Sequence, residues 1–432
     1  MAETPILSSN PPWAPRSDDV AVFIPEDLTS MILMCLPVKS IVRFKSVSRD
    51  WHRTISSKSF ITSHLHRSKT NPTNLIIPST YNEVSERIFE RDLLGSALRQ
   101  INAVMYHEVP SRIRMYRYGE AGRVDRATLF FETVTDRIKR CIDDPLHSDG
   151  LLLFSVSPCR TYLCNPATRK LIDLPTAGLV CDPKLEYNLG FGLDPRTNNY
   201  KVVRYFCQSG RHFDCDVFTV GTTPAAWRAA TVPPPYPIAK NPSACVEGSI
   251  YWFIDPTKHE WSPPEDKILA FSLSDEEFRL VSAPPTSRWH PRTARLVEFE
   301  GSLCFVNNLM DEQVLEMWMS SDSDETLAWI RSYTINLSDE LLQWIRRYIY
   351  NLSPPEETRY IMPIRVHGEK IILRLPRAIA WYNLRSQNFD RFVKMQQDIL
   401  FLGYQTYVMH YNMPFTEYRF TPYVESLVPL GG

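Results

Sequence analysis

Catalysis by this chain would have to begin with its ten histidines or nine cysteines, and neither set is arranged for it. His64 and His66 lie two apart on an expected helix, a spacing that turns the two rings away from each other, so no shared metal is expected there. No H-E-x-x-H, no G-x-S-x-G and no phosphate-cradling glycine loop occurs. The closest cysteine spacings are Cys159/Cys164 and Cys207/Cys215, with no C-x-x-C. An odd set without paired spacing reads as reduced, mostly buried thiols, not as a disulfide framework or a zinc site. No catalytic residue, metal ligand set or cofactor is therefore expected. What remains is recognition chemistry. Trp261, Arg288, Trp289 and His290 fall in proline-rich loops and are the candidate substrate contacts.

The bulk properties decide what kind of chain carries these residues. At 432 residues it exceeds one ordinary core and has room for two or more units, or for one large repeat architecture. Low glycine (15) beside high proline (34) and 12% aromatics point to many short, punctuated strands. A net charge of −1 gives no overall footprint for nucleic acid or membrane. No apolar run reaches the roughly 18 residues of a membrane helix. Met1 to Pro15 lacks the basic stretch and apolar run of a signal peptide, so the expected compartment is the cytoplasm and/or nucleus. Asn336-Leu337-Ser338 and Asn351-Leu352-Ser353 match the glycosylation triplet, which carries no meaning without a secretory signal.

Residues 1–19, rich in Pro, Ser and Asn, are expected to be disordered, and residues 20–70 to form a small all-α module. Pro25 suits the first turn of a helix, with Glu26 and Asp27 at the positive end of its dipole. Leu28, Ile32 and Leu36 follow at i, i+4, i+8, and Met31 and Cys35 widen the stripe. Pro37 ends that helix and opens the next, which carries Val38, Ile41, Phe44 and Val47. Ser48 is a suitable N-cap for a third helix with Trp51 and Ile55, and a last helix carries Phe60, Ile61 and Leu65. So small a bundle holds more large apolar side chains than it can hide. Either it packs on the rest of the chain or it binds a partner, and periodicity does not choose between these.

A family pattern does. Ile24-Pro25-Glu26-Asp27-Leu28, Ile32, Leu36-Pro37-Val38-Lys39-Ser40-Ile41, Arg43-Phe44-Lys45, Val47-Ser48, Trp51, Ile55 and Phe60 together resemble a plant-type F-box over residues 24–66. The resemblance implies docking onto a Skp-family adaptor and, through it, a cullin-based (SCF) ubiquitin ligase. It makes Pro25, Leu28, Ile32, Leu36, Pro37, Val38, Ile41, Phe44, Val47 and Trp51 the adaptor-contact candidates, some of them necessarily internal core. From Lys39 to Lys69 eight Lys and Arg face only Asp50. That is either a solvated helix surface or a field that steers the module onto an acidic partner.

From about Leu75 the pattern changes to short strands in recurring units. Five begin near Gly150, Gly190, Gly248, Gly301 and Gly368. Most open with a turn glycine before an apolar run and close through polar turns such as Asn165-Pro166-Ala167-Thr168. A period near 50 with several strands per unit is the pattern of a kelch-like propeller, whose blades must stack around an axis to bury their faces. Residues 72–428 are therefore read as an all-β propeller of six or seven blades, the two ends sharing a blade in one arrangement. Insertions are expected at 84–126, with Arg112, Arg114, Arg117 and Arg123, and at 338–360. The second contains a near-repeat, since Trp329 to Ser338 recurs as Trp344 to Ser353. It is expected to form a short helix capped by Ser338, with Leu341, Leu342 and Ile345 inward.

Asn165-Pro166-Ala167-Thr168-Arg169-Lys170, Leu174-Pro175, Gly190-Phe191-Gly192, Asp194 and Tyr200-Lys201-Val202-Val203 resemble the F-box-associated domain of plant F-box proteins. The combined resemblance implies a non-catalytic receptor subunit that presents a protein substrate for ubiquitination. Two other readings stay open on sequence alone. One is a propeller enzyme or small-molecule receptor with the helices as a cap. The other is a kelch-type interaction scaffold.

Overall fold

A computed structural model describes residues 25–78, 111–121, 124–135, 144–157, 160–176, 186–207, 212–258, 261–286, 288–321, 327–352, 360–395, 399–402 and 418–431. Residues 1–24, which hold the expected disordered tail and the module's first residues, lie outside these, as do 84–110, 122–123 and 353–359 of the two insertions. The chain divides into two compact units, residues 1–64 and 65–432.

In the first unit four short helices follow the proline and serine punctuation. They are α1 (Glu26–Met34), α2 (Val38–Phe44), α3 (Arg49–Ser56) and α4 (Lys58–Lys69), which runs just past the unit boundary. Pro25 and Pro37 sit at the N-caps of α1 and α2, one position before the first turn expected for Pro25. Ser48 caps α3, its Oγ accepting from Trp51 N at 3.1 Å. Leu33, Val38, Ile41, Ile55 and Phe60 are buried. Phe44 and Trp51 meet edge to face at 5.5 Å. His64 is buried too, with Nε2 3.2 Å from Leu36 O, while His66 is exposed, so the two rings do part.

The second unit is a six-bladed propeller. The chain enters through β1 (Thr73–Pro78), β2 (Ser111–Ala121) and β3 (Val124–Thr135), three strands of a blade finished only at its other end. Five four-stranded blades follow. Blade one is β4 (Leu146–Ser148), β5 (Leu151–Ser157), β6 (Arg160–Asn165) and β7 (Lys170–Asp173). Blade two is β8 (Glu186–Asp194), β9 (Asn199–Cys207), β10 (Phe213–Thr219) and β11 (Trp227–Ala229). Blade three is β12 (Ala244–Val246), β13 (Ser249–Phe253), β14 (Lys267–Ser272) and β15 (Phe278–Ser282). Blade four is β16 (Ala294–Phe299), β17 (Ser302–Leu309), β18 (Val314–Ser321) and β19 (Ala328–Asn336). Blade five, after the helix α5 (Asp339–Leu352), is β20 (Met362–His367), β21 (Lys370–Leu375), β22 (Ala378–Asn383) and β23 (Asn388–Lys394). Then β24 (Ile399–Leu402) and β25 (Tyr418–Tyr423) complete the first sheet, in the order β24-β3-β2-β1-β25.

The ring closes through β25. It pairs antiparallel with β1 from Thr73↔Tyr423 to Pro78↔Tyr418. The first strands of the other blades neighbour one another around the axis, and β25 fills the gap between β20 and β4. Both ends of the unit thus share one blade, which fixes the count at six.

Three of the turn glycines close tight hairpins. Asp149-Gly150, Glu247-Gly248 and Glu300-Gly301 all have positive φ at both residues, the two-residue turn that suits the right-handed twist of a hairpin. They join the innermost strand to the second. The long apolar runs Leu151–Phe154, Ile250–Phe253 and Leu303–Val306 are therefore second strands, sandwiched between neighbouring blades and buried on both faces. Gly150 is packed against backbone at its turn. A Cβ there would lie 2.4 Å from Val424 O and 2.5 Å from Ser426 Cβ, whereas one on Gly301 would meet nothing within 4 Å. Gly150→Ala is expected to cost about 3 kcal/mol and Gly301→Ala about 1, read from the two urea midpoints.

The repeated motif adopts two structures. Its first copy is the strand β19, paired with β18, and its second is the helix α5. Ser338 caps α5 through Leu341 N at 3.3 Å, and Leu341, Leu342 and Ile345 are buried in the cluster shared by blades four and five. Asp339 and Glu340 in the first turn favour the helix. The insertion expected at 84–126 is shorter in its described part, because 111–121 and 124–126 lie on β2 and β3 of the closing blade. Arg114 pairs with Glu132 at 2.8 Å, and Arg117 pairs with Glu425 and stacks on Phe130 at 4.2 Å. The side chains of Arg112 and Arg123 lie outside the described residues.

Candidate docking surfaces

On the helical unit, the stripe on α1 faces outward. Leu28, Met31 and Ile32, at i, i+3 and i+4, share one face and are 49%, 57% and 54% exposed, while Leu33 turns into the core. Val42 and Val47 are exposed as well. Among the described residues these five are more than half of the large apolar side chains left in solvent, and all fall within residues 28–47. Single exposed apolar residues mean little, but a grouped set marks an interaction surface.

The ten adaptor-contact candidates separate by burial. Pro25, Leu28, Ile32, Pro37 and Val47 are exposed; Leu36, Phe44 and Trp51 are half-buried. Val38 and Ile41 are wholly buried. These two are corrected to internal core: placed i, i+3 on α2, they form its inward face and offer no surface to a partner. Met31, part of the expected stripe, and Val42 are exposed too, though neither is among the ten candidates. Met31 was legible from its i+3 relation to Leu28. Val42 was not, because its neighbours Ile41 and Arg43 gave no sign of which apolar residue turns outward.

The propeller candidates also divide. Trp261 packs on Phe213 at 4.9 Å, and Trp289 lies between Phe253 and Phe305, 5.3 Å from each. Both are half-buried and belong chiefly to the packing between blades. Arg288 and His290 are exposed. Arg288 Nη1 is 3.5 Å from Glu312 in an open pair that stabilises little. His290 Nδ1 accepts from Arg292 N at 3.0 Å, fixing the ring on its turn.

Around the axis the innermost strands enclose a cavity of about 110 Å³. Leu146, Phe191, Ala244, Leu296, Ile364 and Phe420 line it, one from each blade. Beside it Asp144 receives both Nη atoms of Arg374 at 3.0 Å and lies 3.3 Å from Arg419 Nε. Burial alone would raise this carboxyl, but the guanidiniums of Arg374 and Arg419 outweigh it and hold the pKa at about 2. A depressed pKa gives stability that is complete above the ordinary value of 3.8 and disappears as pH falls toward 2. Asp144 is thus expected to contribute about 2 kcal/mol at neutral pH, lost on acidification. Urea unfolding at pH 5 and pH 2.5 should show a smaller acid loss in Asp144→Asn than in the native chain. No sequence signal marked Asp144, since its partners lie more than 200 residues away. His147, also on the cavity, is lowered by burial against the opposing pull of Glu298 and Asp149.

Several residues that carried the second resemblance tie blades together. Asn165 Nδ2 donates to Ser426 O at 3.0 Å and Val428 O at 2.9 Å, fastening blade one to the segment that follows β25. Asp194 and Glu276 each sit 2.9 Å from Lys201 Nζ, joining blades two and three in a buried ion cluster. Buried charges need such partners. Burial pushes the Cys215 and Cys245 thiols up to about 12, which disfavours the thiolate at both. Among the described residues no group of three or more His, Cys, Asp or Glu is placed to hold a metal, and no helix is long and apolar enough to cross a membrane.

An all-β propeller preceded by a helical unit with an outward apolar face defines a two-part recognition protein. Residues 24–63 match the F-box domain, and residues 133–398 match the F-box associated beta propeller domain. The chain belongs to the F-box proteins that carry this propeller. Among its relatives in Arabidopsis thaliana, one named "Putative F-box/kelch-repeat protein" is 28% identical and aligns over 73% of this chain and 71% of its own. A "Putative F-box protein" is 26% identical over 95% of this chain and 88% of its own. An "F-box protein" is 27% identical over 74% of this chain and 68% of its own. Membership supports a role in substrate recognition, in a family whose members are generally non-catalytic adaptors.

Proposed function

We propose that the chain is the substrate-recognition subunit of an SCF-type ubiquitin ligase. Its helical unit docks a Skp-family adaptor and through it a cullin, and its propeller binds a protein substrate. The subunit itself performs no chemistry; transfer of ubiquitin belongs to the rest of the complex, in the cytoplasm and/or nucleus. The observation that carries this reading is the outward stripe of Leu28, Met31 and Ile32 on α1. A folded unit this small gains nothing by leaving those side chains in water, and a partner that covers them recovers the burial.

Pro25, Leu36, Pro37, Val47 and the half-buried Phe44 and Trp51 complete the adaptor-facing set. On the propeller, exposed Arg288 and His290 and the segment around α5 are the proposed substrate surface, because loops and insertions vary freely on a closed ring while strands do not. Proximity labelling under proteasome inhibition tests both halves. Proteins that accumulate beside the intact chain should stay bound, without ubiquitin, to a chain lacking residues 24–66. Equal ubiquitination with and without residues 24–66 contradicts the reading.

A further inference from the structure

We infer that the partner surface that receives the helical unit is acidic, and that the exposed basic side chains of α2, α3 and α4 set the speed of docking. The inference rests on the adaptor reading above and adds the chemistry of the partner to it. On α2, Lys39, Val42 and Arg43 stand at i, i+3 and i+4, so an exposed apolar side chain is flanked on its own face by two exposed cations. Arg49 and Arg53 repeat the spacing on α3, and Lys58 opens α4, all exposed. Across residues 39–58 only Asp50 opposes them, and its 3.0 Å pair with Arg53 leaves both side chains more than two-thirds in solvent.

Internal stability accounts for only part of this pattern, since Arg43 and Arg53 stand in the last turns of α2 and α3, where the helix dipole favours cations. Like charges at i, i+4, as in Lys39/Arg43 and Arg49/Arg53, repel and mildly destabilise a helix. Lys58 stands in the first turn of α4, the end of a helix that disfavours cations. The chain as a whole is nearly neutral, so the positive field is local to the docking unit. A local field of one sign around an apolar patch raises the rate of encounter with the opposite sign and excludes partners of its own. The apolar contacts, by contrast, decide how long the complex lasts.

The test is the kinetics of the full chain with a purified Skp-family adaptor, with association and dissociation rates measured separately. Raising sodium chloride from about 50 to about 500 mM should slow association about tenfold and change dissociation less than about twofold. Lys39→Glu with Arg43→Glu should slow association about fivefold to tenfold at the lower salt and flatten its salt dependence. Both positions are exposed, so the fold should survive, and the salt series on the native chain decides the matter if it does not. Association that ignores both salt and charge reversal, in a complex that still forms, overturns the acidic-partner inference and leaves the adaptor reading standing. A native chain that binds no adaptor overturns both. Displacement of the adaptor by a single-stranded RNA 20-mer, lost in the double charge reversal, would reassign the basic face to nucleic acid and overturn the inference.

Discussion

Replacing Leu28 and Ile32 together by aspartate is expected to leave the helical unit folded and to weaken adaptor binding about a thousandfold. Both side chains are about half in water, and neither belongs to the buried set of Leu33, Val38, Ile41, Ile55 and Phe60. The substitutions therefore open no cavity. At an interface, each would exchange an apolar anchor for a carboxylate that must be desolvated. About 2 kcal/mol or more per anchor is ordinary for such losses, and two together give about three powers of ten. Calorimetric titration with the adaptor reads the affinity, and far-UV circular dichroism reads the fold. Ile41→Asp is the contrasting variant. It places a charge in the core, and it should lose binding by unfolding the unit.

The second large effect is expected from removing residues 418–432. The propeller should then fail to fold as a unit. These residues supply β25, the innermost strand of the closing blade, and six backbone pairings with β1. Tyr418, Phe420, Tyr423, Leu427, Val428 and Leu430 are all buried. At about 1.5–3 kcal/mol for each buried side chain, their loss matches or exceeds the 5–15 kcal/mol that stabilises a typical domain. The Asn165 amide would lose both its acceptors at the same time. Thermal unfolding followed in the near ultraviolet should lose its cooperative transition. A native-like melting curve in the truncated chain would contradict the closure described here.

How much of this was legible in advance depends on the range of the interactions. Local signals were read well. Ser48 and Ser338 cap the helices they were expected to cap, and Leu341, Leu342 and Ile345 turn inward as their spacing required. The five units from Gly150 to Gly368 are five of the six blades. Longer-range features were not accessible. Six blades and seven could not be told apart, because β1 and β25 pair across more than 300 residues and neither carries a repeat signature. The Asp144–Arg374 pair is separated by 230 residues. On the helices, periodicity found apolar stripes but did not say which face was turned to solvent. Val38 and Ile41, two of the ten adaptor-contact candidates, belong to the core, while Met31 and Val42 face outward. The repeated motif shows the limit of local sequence most directly, since one copy is strand and the other helix, each set by its neighbours.

The central claim is that residues 24–66 exist to be bound. Titration of the full chain with a purified Skp-family adaptor tests it most directly. The account predicts a one-to-one complex, with submicromolar affinity or better, and a negative heat-capacity change from burial of the α1 stripe. No binding at adaptor concentrations of tens of micromolar, or binding unchanged in Leu28→Asp with Ile32→Asp, would contradict it.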